Sequence, residues 1–135
     1  MSDSNPFGLH TVTPYLIVDG VEKLVAFTRD VFGATLRGEL RYREDGSVMH
    51  TEIAIGDSVI MLGEPTDEWK AMPSTLYVYV DDCDATYRKA LDFGAVSVSE
   101  PALYPHGDRY AGIQDLSGNI WWVVTHIGTA ESSKL

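Results

Sequence analysis

The chain repeats itself at an interval of about sixty residues, and that repeat limits its fold more than any single motif does. Val18-Asp19 opens a stretch of helical spacing that closes on Phe32-Gly33-Ala34, and Val80-Asp81 opens a second that closes on Phe93-Gly94-Ala95. The two aspartates are 62 positions apart and the two glycines 61, so the register slips by one residue across a helix. A further echo, also at 62, joins Gly56-Asp57 before the apolar run 58–63 to Gly118-Asn119 before the run 120–125. Self-similarity at a fixed interval marks a duplicated supersecondary unit. Two copies are too few for a solenoid, so the halves must bury their apolar faces against each other or against a second subunit.

Periodicity then orders the elements within each copy. Thr11 to Val18 reads as a strand, with Leu16 and Val18 on one face and Thr13, Tyr15 and Ile17 on the other. Val21, Leu24, Val25, Phe27, Val31 and Phe32 recur at helical spacing, and Gly33 supplies the stop. Thr35 to Arg43 and Val48 to Ile55 form a hairpin through Glu44-Asp45-Gly46-Ser47, followed by a short strand from Ser58 to Gly63. The second copy predicts a strand at Ser74 to Val80, a helix at Asp82 to Phe93, and a strand at Ala95 to Ser99. A Pro-rich loop from Pro101 to Gly107 and strands at Arg109 to Gln114 and Ile120 to His126 complete it. The expectation is an α+β fold of two βαβββ modules, about 10–63 and 74–126, joined by the aperiodic loop 64–73.

A chain of 135 residues, 44% of them hydrophobic, can build its own core, so positions 1–135 are expected to form a single domain. A formal charge of −10 with scattered basic residues argues against nucleic acid or an anionic membrane as partner. No apolar run approaches the roughly 18–20 residues that cross a bilayer, and Met1-Ser2-Asp3-Ser4-Asn5 lacks the basic and apolar regions of a secretion signal. The expected location is cytoplasmic; the ending Ser133-Lys134-Leu135 is also a peroxisomal address in a eukaryotic host. A lone cysteine, Cys83, in the first turn of an amphipathic helix reads as a small core residue.

Strand parity separates a helix-facing set from an opposite set. Leu76, Val78 and Val80 make an aliphatic face, with Thr75, Tyr77 and Tyr79 opposite; Ile60 and Leu62 oppose Val59 and Met61; Trp121 and Val123 oppose Ile120, Trp122 and Val124. The mixed aromatic, thioether and hydroxyl face has the character of a ligand surface, and a half-buried core face is the alternative.

Taken in order, these segments resemble the vicinal oxygen chelate superfamily of glyoxalases, bleomycin-resistance proteins and extradiol dioxygenases. The carriers are Pro14-Tyr15-Leu16-Ile17-Val18-Asp19-Gly20, Phe27 to Ala34, His50 to Leu62, and Gly107-Asp108-Arg109-Tyr110 leading to Asp115-Leu116-Ser117-Gly118-Asn119, and together they look most like its PhnB-like branch. The resemblance implies a cupped mixed sheet around a cavity, helices on the outer face, and a homodimer. Metal-dependent members hold a divalent ion with one His or carboxylate on the first and fourth strands of each module; matching those strands gives Thr13, Met61, Thr75 and Trp122. A hydroxyl, a thioether and an indole lack the donor strength for such an ion, so no metal ligand and no cofactor are expected.

His50 and Glu52 lie two apart on one strand, so both leave the same face, and the repeat maps Glu52 onto Gln114. An imidazole beside a carboxylate is a candidate general base, or else a cross-strand pair at the sheet rim. The remaining alternative is a relocated divalent metal held by His50, Glu52 and either His106 or His126. Arg109 meets an anionic substrate group or pairs with a surface carboxylate. Trp122 offers a flat face for stacking or plugs the cavity shut. Trp69 and Met72 in the joining loop are candidates for a cap or a dimer contact. The reading is a metal-independent protein that binds a small, partly apolar or aromatic molecule through Thr13, Tyr15, Met61, Thr75, Tyr77, Arg109, Gln114 and Trp122. The alternatives are a glyoxalase-like lyase, isomerase or dioxygenase using His50 and Glu52, and a dimeric scaffold that Trp122 and Met61 pack shut.

Overall fold

The computed structural model describes residues 8–105 and 107–127. The chain divides into two compact units, the first running to Arg29 and then from Gly33 to Met72, the second taking Asp30–Phe32 and everything from Pro73 onward.

The first unit holds β1 (Tyr15–Ile17), α1 (Val21–Phe32), β2 (Thr35–Tyr42), β3 (Val48–Ile55) and β4 (Ser58–Gly63). Its sheet has the order β1-β4-β3-β2, with β1 parallel to β4 and the other pairs antiparallel. Val21, Leu24, Phe27, Thr28 and Val31 bury one stripe of α1, as spacing by three and four residues requires. Gly33 closes the helix in the left-handed region at φ 71°, its N–H donating to the Arg29 carbonyl and the Ala34 N–H to the Thr28 carbonyl. The helix start has no cap of its own, since Gly20 carries no side chain. Glu64 supplies one from the far end of β4: its Oε2 accepts the Val21 N–H at 3.0 Å and its Oε1 the Val48 N–H at 2.7 Å. Tyr42 donates to Glu22 of α1 at 2.9 Å and is the ladder partner of Val48, so the side of the sheet that buries Val48, Thr51, Ile53, Ile60 and Leu62 is the helix side.

The second unit holds β5 (Thr75–Tyr79), α2 (Cys83–Asp92), β6 (Val96–Leu103), β7 (Asp108–Gln114) and β8 (Ile120–His126), in the sheet order β5-β8-β7-β6 with β5 parallel to β8. Asp82 caps α2, accepting the Ala85 N–H at 3.1 Å. Where Glu64 serves Val21, Thr125 serves Cys83, accepting its N–H at 2.7 Å while donating to the Val80 carbonyl at 3.0 Å. The repeat thus keeps the position of the acceptor and changes its chemistry.

Three expectations are corrected. β1 is shorter than Thr11 to Val18, and Thr13 lies before it, its hydroxyl on the His10 carbonyl. The Pro-rich loop starts later than Pro101: β6 runs on through it to Leu103, with irregular register against β7 on either side of Ser99. An edge strand tolerates a proline where a central strand would lose a ladder bond. The third concerns the repeat. Glu52 stands beside Met61 and Tyr15, whereas Gln114 stands beside Ile120 and Thr75; the residue in the second sheet beside Trp122, and so beside Tyr77, is Gly112. The β3–β4 turn needs only Gly56 and Asp57, while the β7–β8 loop spends residues 115–119 around the buried Asp115 carboxylate, and the extra loop residues shift the register. Among the described residues no helix is long and apolar enough to cross a membrane.

Candidate functional site

Each sheet has a face turned away from its helix, and the two faces carry different chemistry. In the first unit, one row across the strands reads Tyr15, Met61, Glu52, Arg37. Arg37 Nη1 donates to Glu52 Oε1 at 2.9 Å, and the second oxygen, Oε2, lies 3.4 Å from His50 Nε2. On the far side of the imidazole, His50 Nδ1 lies 3.4 Å from the Tyr15 hydroxyl, which also reaches the Met49 carbonyl at 3.3 Å. The Tyr15 and His50 rings are 5.6 Å apart and tilted by 41°. Gly63 makes the crossing possible: a Cβ there would stand 2.8 Å from the Tyr15 hydroxyl oxygen, at a backbone conformation open to any residue. Arg41 is the ladder partner of His50 and is exposed.

In the second unit the corresponding face is aromatic. Tyr104 and Tyr110 stack with centroids 3.8 Å apart and planes 14° apart; Trp122 meets Tyr110 edge-on at 5.8 Å, and Tyr77 approaches both Tyr110 at 6.5 Å and Tyr79 at 5.8 Å. Gly112 admits the indole, since a Cβ there would fall 2.7 Å from Trp122 Cζ3. Tyr77 and Tyr79 remain 51% and 66% exposed, so this face presents rings outward; Val124, flanked on its ladder by Tyr79 and Tyr110, is buried. Within the cluster the Tyr110 phenol is pushed up by burial and by its bond to Tyr104, and the Tyr77 phenol by burial. Both rings therefore stay neutral, which suits stacking on an apolar or aromatic surface.

Trp121, one residue earlier, leaves the other side. Its Nε1 donates to Asp115 Oδ2 at 2.7 Å, and the same carboxylate accepts the Ser117 N–H, the Asn119 N–H and the Asn119 amide. Arg109 also turns to the helix side, where it makes a bidentate pair with Asp84 of α2 at 2.6 and 2.9 Å. That pairing is the surface-carboxylate alternative of the sequence reading, and it takes Arg109 out of the aromatic face. Thr75 and Gln114 share a row at the end of this face, both exposed, with Gln114 donating to the Gly118 carbonyl at 3.4 Å. Cys83 is buried and its thiol is pushed up to about 11, chiefly by desolvation. Trp69 and Met72 are exposed. His126 pairs with Asp108 at 2.6 Å; His106 lies outside the described residues.

The donor set does not fit the divalent ion of metal-dependent vicinal oxygen chelate proteins. Tyr15 and Met61, then Tyr77 and Trp122, occupy the paired first and fourth strands of the two units, with Thr13 and Thr75 two residues upstream. Glu64, the carboxylate that directly follows β4, spends both oxygens on backbone N–H groups. Among the described residues no three His, Cys, Asp or Glu side chains gather closely enough to hold a metal.

Sequence reasoning missed Arg37, Tyr104, Tyr110, Gly63 and Gly112. Parity with Gln114 marks Tyr110 and Gly112 as same-face residues. No sequence signal marks Arg37 or Tyr104, because the register of β2 and β6 breaks at bulges that periodicity does not announce.

Residues 8–123 match the family model of the glyoxalase/bleomycin resistance protein/dioxygenase superfamily. An uncharacterized protein of Mycobacterium bovis is 28% identical over 121 residues, which span 82% of this chain and 79% of that one. Among solved structures, TioX from Micromonospora sp. ML1 superposes with a TM-score of 0.70 at 22% identity, covering 87% of this chain and 98% of its own. The PhnB protein from Bacillus cereus gives 0.69 at 19% identity, with 86% and 99% covered. The fosfomycin resistance protein FosX from Listeria monocytogenes gives 0.71 at 16%, with 91% and 96% covered. At these identities the structural matches establish the fold.

Proposed function

The chain belongs to the glyoxalase/bleomycin resistance protein/dioxygenase superfamily, and within it we propose that this protein binds a small, flat, partly apolar or aromatic molecule without drawing on a metal. The supporting observation is the outward-facing cluster of Tyr77, Tyr79, Tyr104, Tyr110 and Trp122, in which Gly112 makes room for the indole. Rings already packed against one another lose little freedom when a planar ligand stacks on them, so the cost of ordering is small. Thr75 and Gln114 at the end of the face offer a hydroxyl and an amide for orienting a polar edge of the ligand.

Titration with N-phenyl-1-naphthylamine, a neutral planar fluorophore, tests this reading. Saturable binding that survives chelator and weakens by about tenfold in Trp122→Ala or Tyr110→Ala agrees with a stacking contribution of roughly 0.5–1.5 kcal/mol per ring pair. Unsaturable uptake, or equal affinity in both variants, refutes it. We also propose a homodimer, supported by the exposed Val96, Val98 and Leu103 along edge strand β6. Light scattering of the eluted protein at the mass of one chain would reject that part.

A further inference from the structure

We infer that the open face of the first sheet is a proton-transfer centre in which Tyr15, backed by His50, enolises a small oxo acid. Every one of its residues belongs to the first unit.

The direction of the relay follows from donor and acceptor chemistry. An ionised carboxylate only accepts, so Glu52 Oε2 at 3.4 Å from His50 Nε2 assigns the imidazole proton to Nε2. Nδ1 then carries a lone pair facing the Tyr15 hydroxyl at 3.4 Å; the single phenol proton rests on the Met49 carbonyl at 3.3 Å and must turn to Nδ1 for the relay to run. Arg37 holds the other carboxylate oxygen at 2.9 Å and fixes Glu52 in place. Catalytic hydrogen bonds of this length tighten when substrate draws the groups together. Tyr15 is 48% exposed, while the side chains of His50, Glu52 and Arg37 are 29%, 22% and 30% exposed. The outermost group is the hydroxyl that a substrate would touch.

Gly63 supplies an independent observation. Its conformation suits any residue, and a Cβ there would stand 2.8 Å from both the Tyr15 hydroxyl oxygen and the Met49 carbonyl oxygen, so the glycine makes room for the ring and for the carbonyl it reaches. A relay that moves protons serves a substrate whose reaction is a proton transfer. The Tyr15 oxygen takes a proton from carbon next to a carbonyl as its own proton passes to His50 Nδ1. The C–H electron pair stays on the substrate as an enolate, and the imidazolium is held by Glu52. Return of the proton to either end of the enolate regenerates the relay, so no oxidant or co-reactant enters. Arg41, exposed and opposite His50 on the ladder, is the cation placed for a carboxylate on that substrate in a chain of net charge −10. Tyr15 and His50 are thus catalytic residues, and Glu52 and Arg37 are positioning residues.

The test is loss of the pyruvate methyl signal in deuterium oxide, followed by proton NMR, beside the nitrogen-15 signature of the His50 ring. The expected result is exchange accelerated at least about a hundredfold by the intact protein and returned to the buffer rate by Tyr15→Phe and His50→Gln, in line with the usual contribution of a general base. Both variants should keep the far-ultraviolet spectrum and the affinity for N-phenyl-1-naphthylamine, which separates this centre from the aromatic site. The ring should appear as the Nε2–H tautomer and lose that preference in Glu52→Gln and Arg37→Gln, with recovery in Arg37→Lys. Intact protein that leaves the pyruvate exchange at the buffer rate overturns the inference. So does full activity in Tyr15→Phe, and so does an Nδ1–H tautomer in the intact protein.

Discussion

Replacing Gly112 by alanine adds one methyl group and should disturb both stability and the aromatic face. The new Cβ would stand 2.7 Å from Trp122 Cζ3, 3.0 Å from Cε3 and 3.1 Å from Cη2, all inside ordinary van der Waals contact. Those atoms belong to a rigid ring edge, so the whole indole must swing away and break its edge-on meeting with Tyr110. Overpacking of this kind costs about 1–3 kcal/mol. Alanine also narrows the unfolded ensemble, which returns about 0.4–1 kcal/mol because the Gly112 backbone suits any residue. The steric loss wins, leaving a net destabilisation of about 1–2 kcal/mol. Urea unfolding followed by tryptophan emission measures it as a lower midpoint at unchanged slope. In a Trp122→Leu background the clash partner is gone, so Gly112→Ala should there be neutral or mildly stabilising, a coupling that a double-mutant cycle isolates. A Gly112→Ala protein as stable as the parent in both backgrounds, with unchanged fluorophore affinity, would refute the packing argument.

Other perturbations read other parts of the structure. Glu64→Ala removes the acceptor of the Val21 and Val48 N–H groups and should cost about 2–3 kcal/mol in urea unfolding, with Glu64→Gln losing roughly half as much. Asp115→Ala leaves the Trp121, Asn119 and Ser117 donors without their acceptor and should cost about 3–5 kcal/mol, with a shift in tryptophan emission before unfolding. The Arg109 guanidinium bonded to Asp84 holds that carboxyl below its ordinary value of 3.8. Asp84 therefore adds stability above that value and loses it as pH falls through its lowered folded value, so acid unfolding of Asp84→Asn should be less steep below about pH 4. With its thiol pushed up to about 11 and buried, Cys83 should resist thiol reagents at pH 8 in the folded protein and react once urea unfolds it.

The sequence alone determined the order of elements, the two modules, and the parity of the central strands. Those features rest on local patterns: period two in β3, β4 and β8, whose limits were read without error, and a stripe at spacings of three and four in α1. The same parity put Tyr77 and Trp122 on one face and sent Trp121 to the other, because alternation is a property of the strand itself. Cys83 was legible as core from its place in the first turn of an amphipathic helix.

What local pattern does not carry is how strands align once loops and bulges intervene. Glu52 seemed to mirror Gln114 until the longer 115–119 loop set Gly112 there instead, and bulged β2 brought Arg37 to Glu52 without any sequence signal. The two glycines that shape the faces, Gly63 and Gly112, adopt ordinary backbone conformations, so only the approach of Tyr15 and the Met49 carbonyl to one, and of Trp122 to the other, reveals why they lack side chains. Periodicity assigns a residue to a face, and the ladder register, fixed by tertiary pairing, decides which side chain stands beside it.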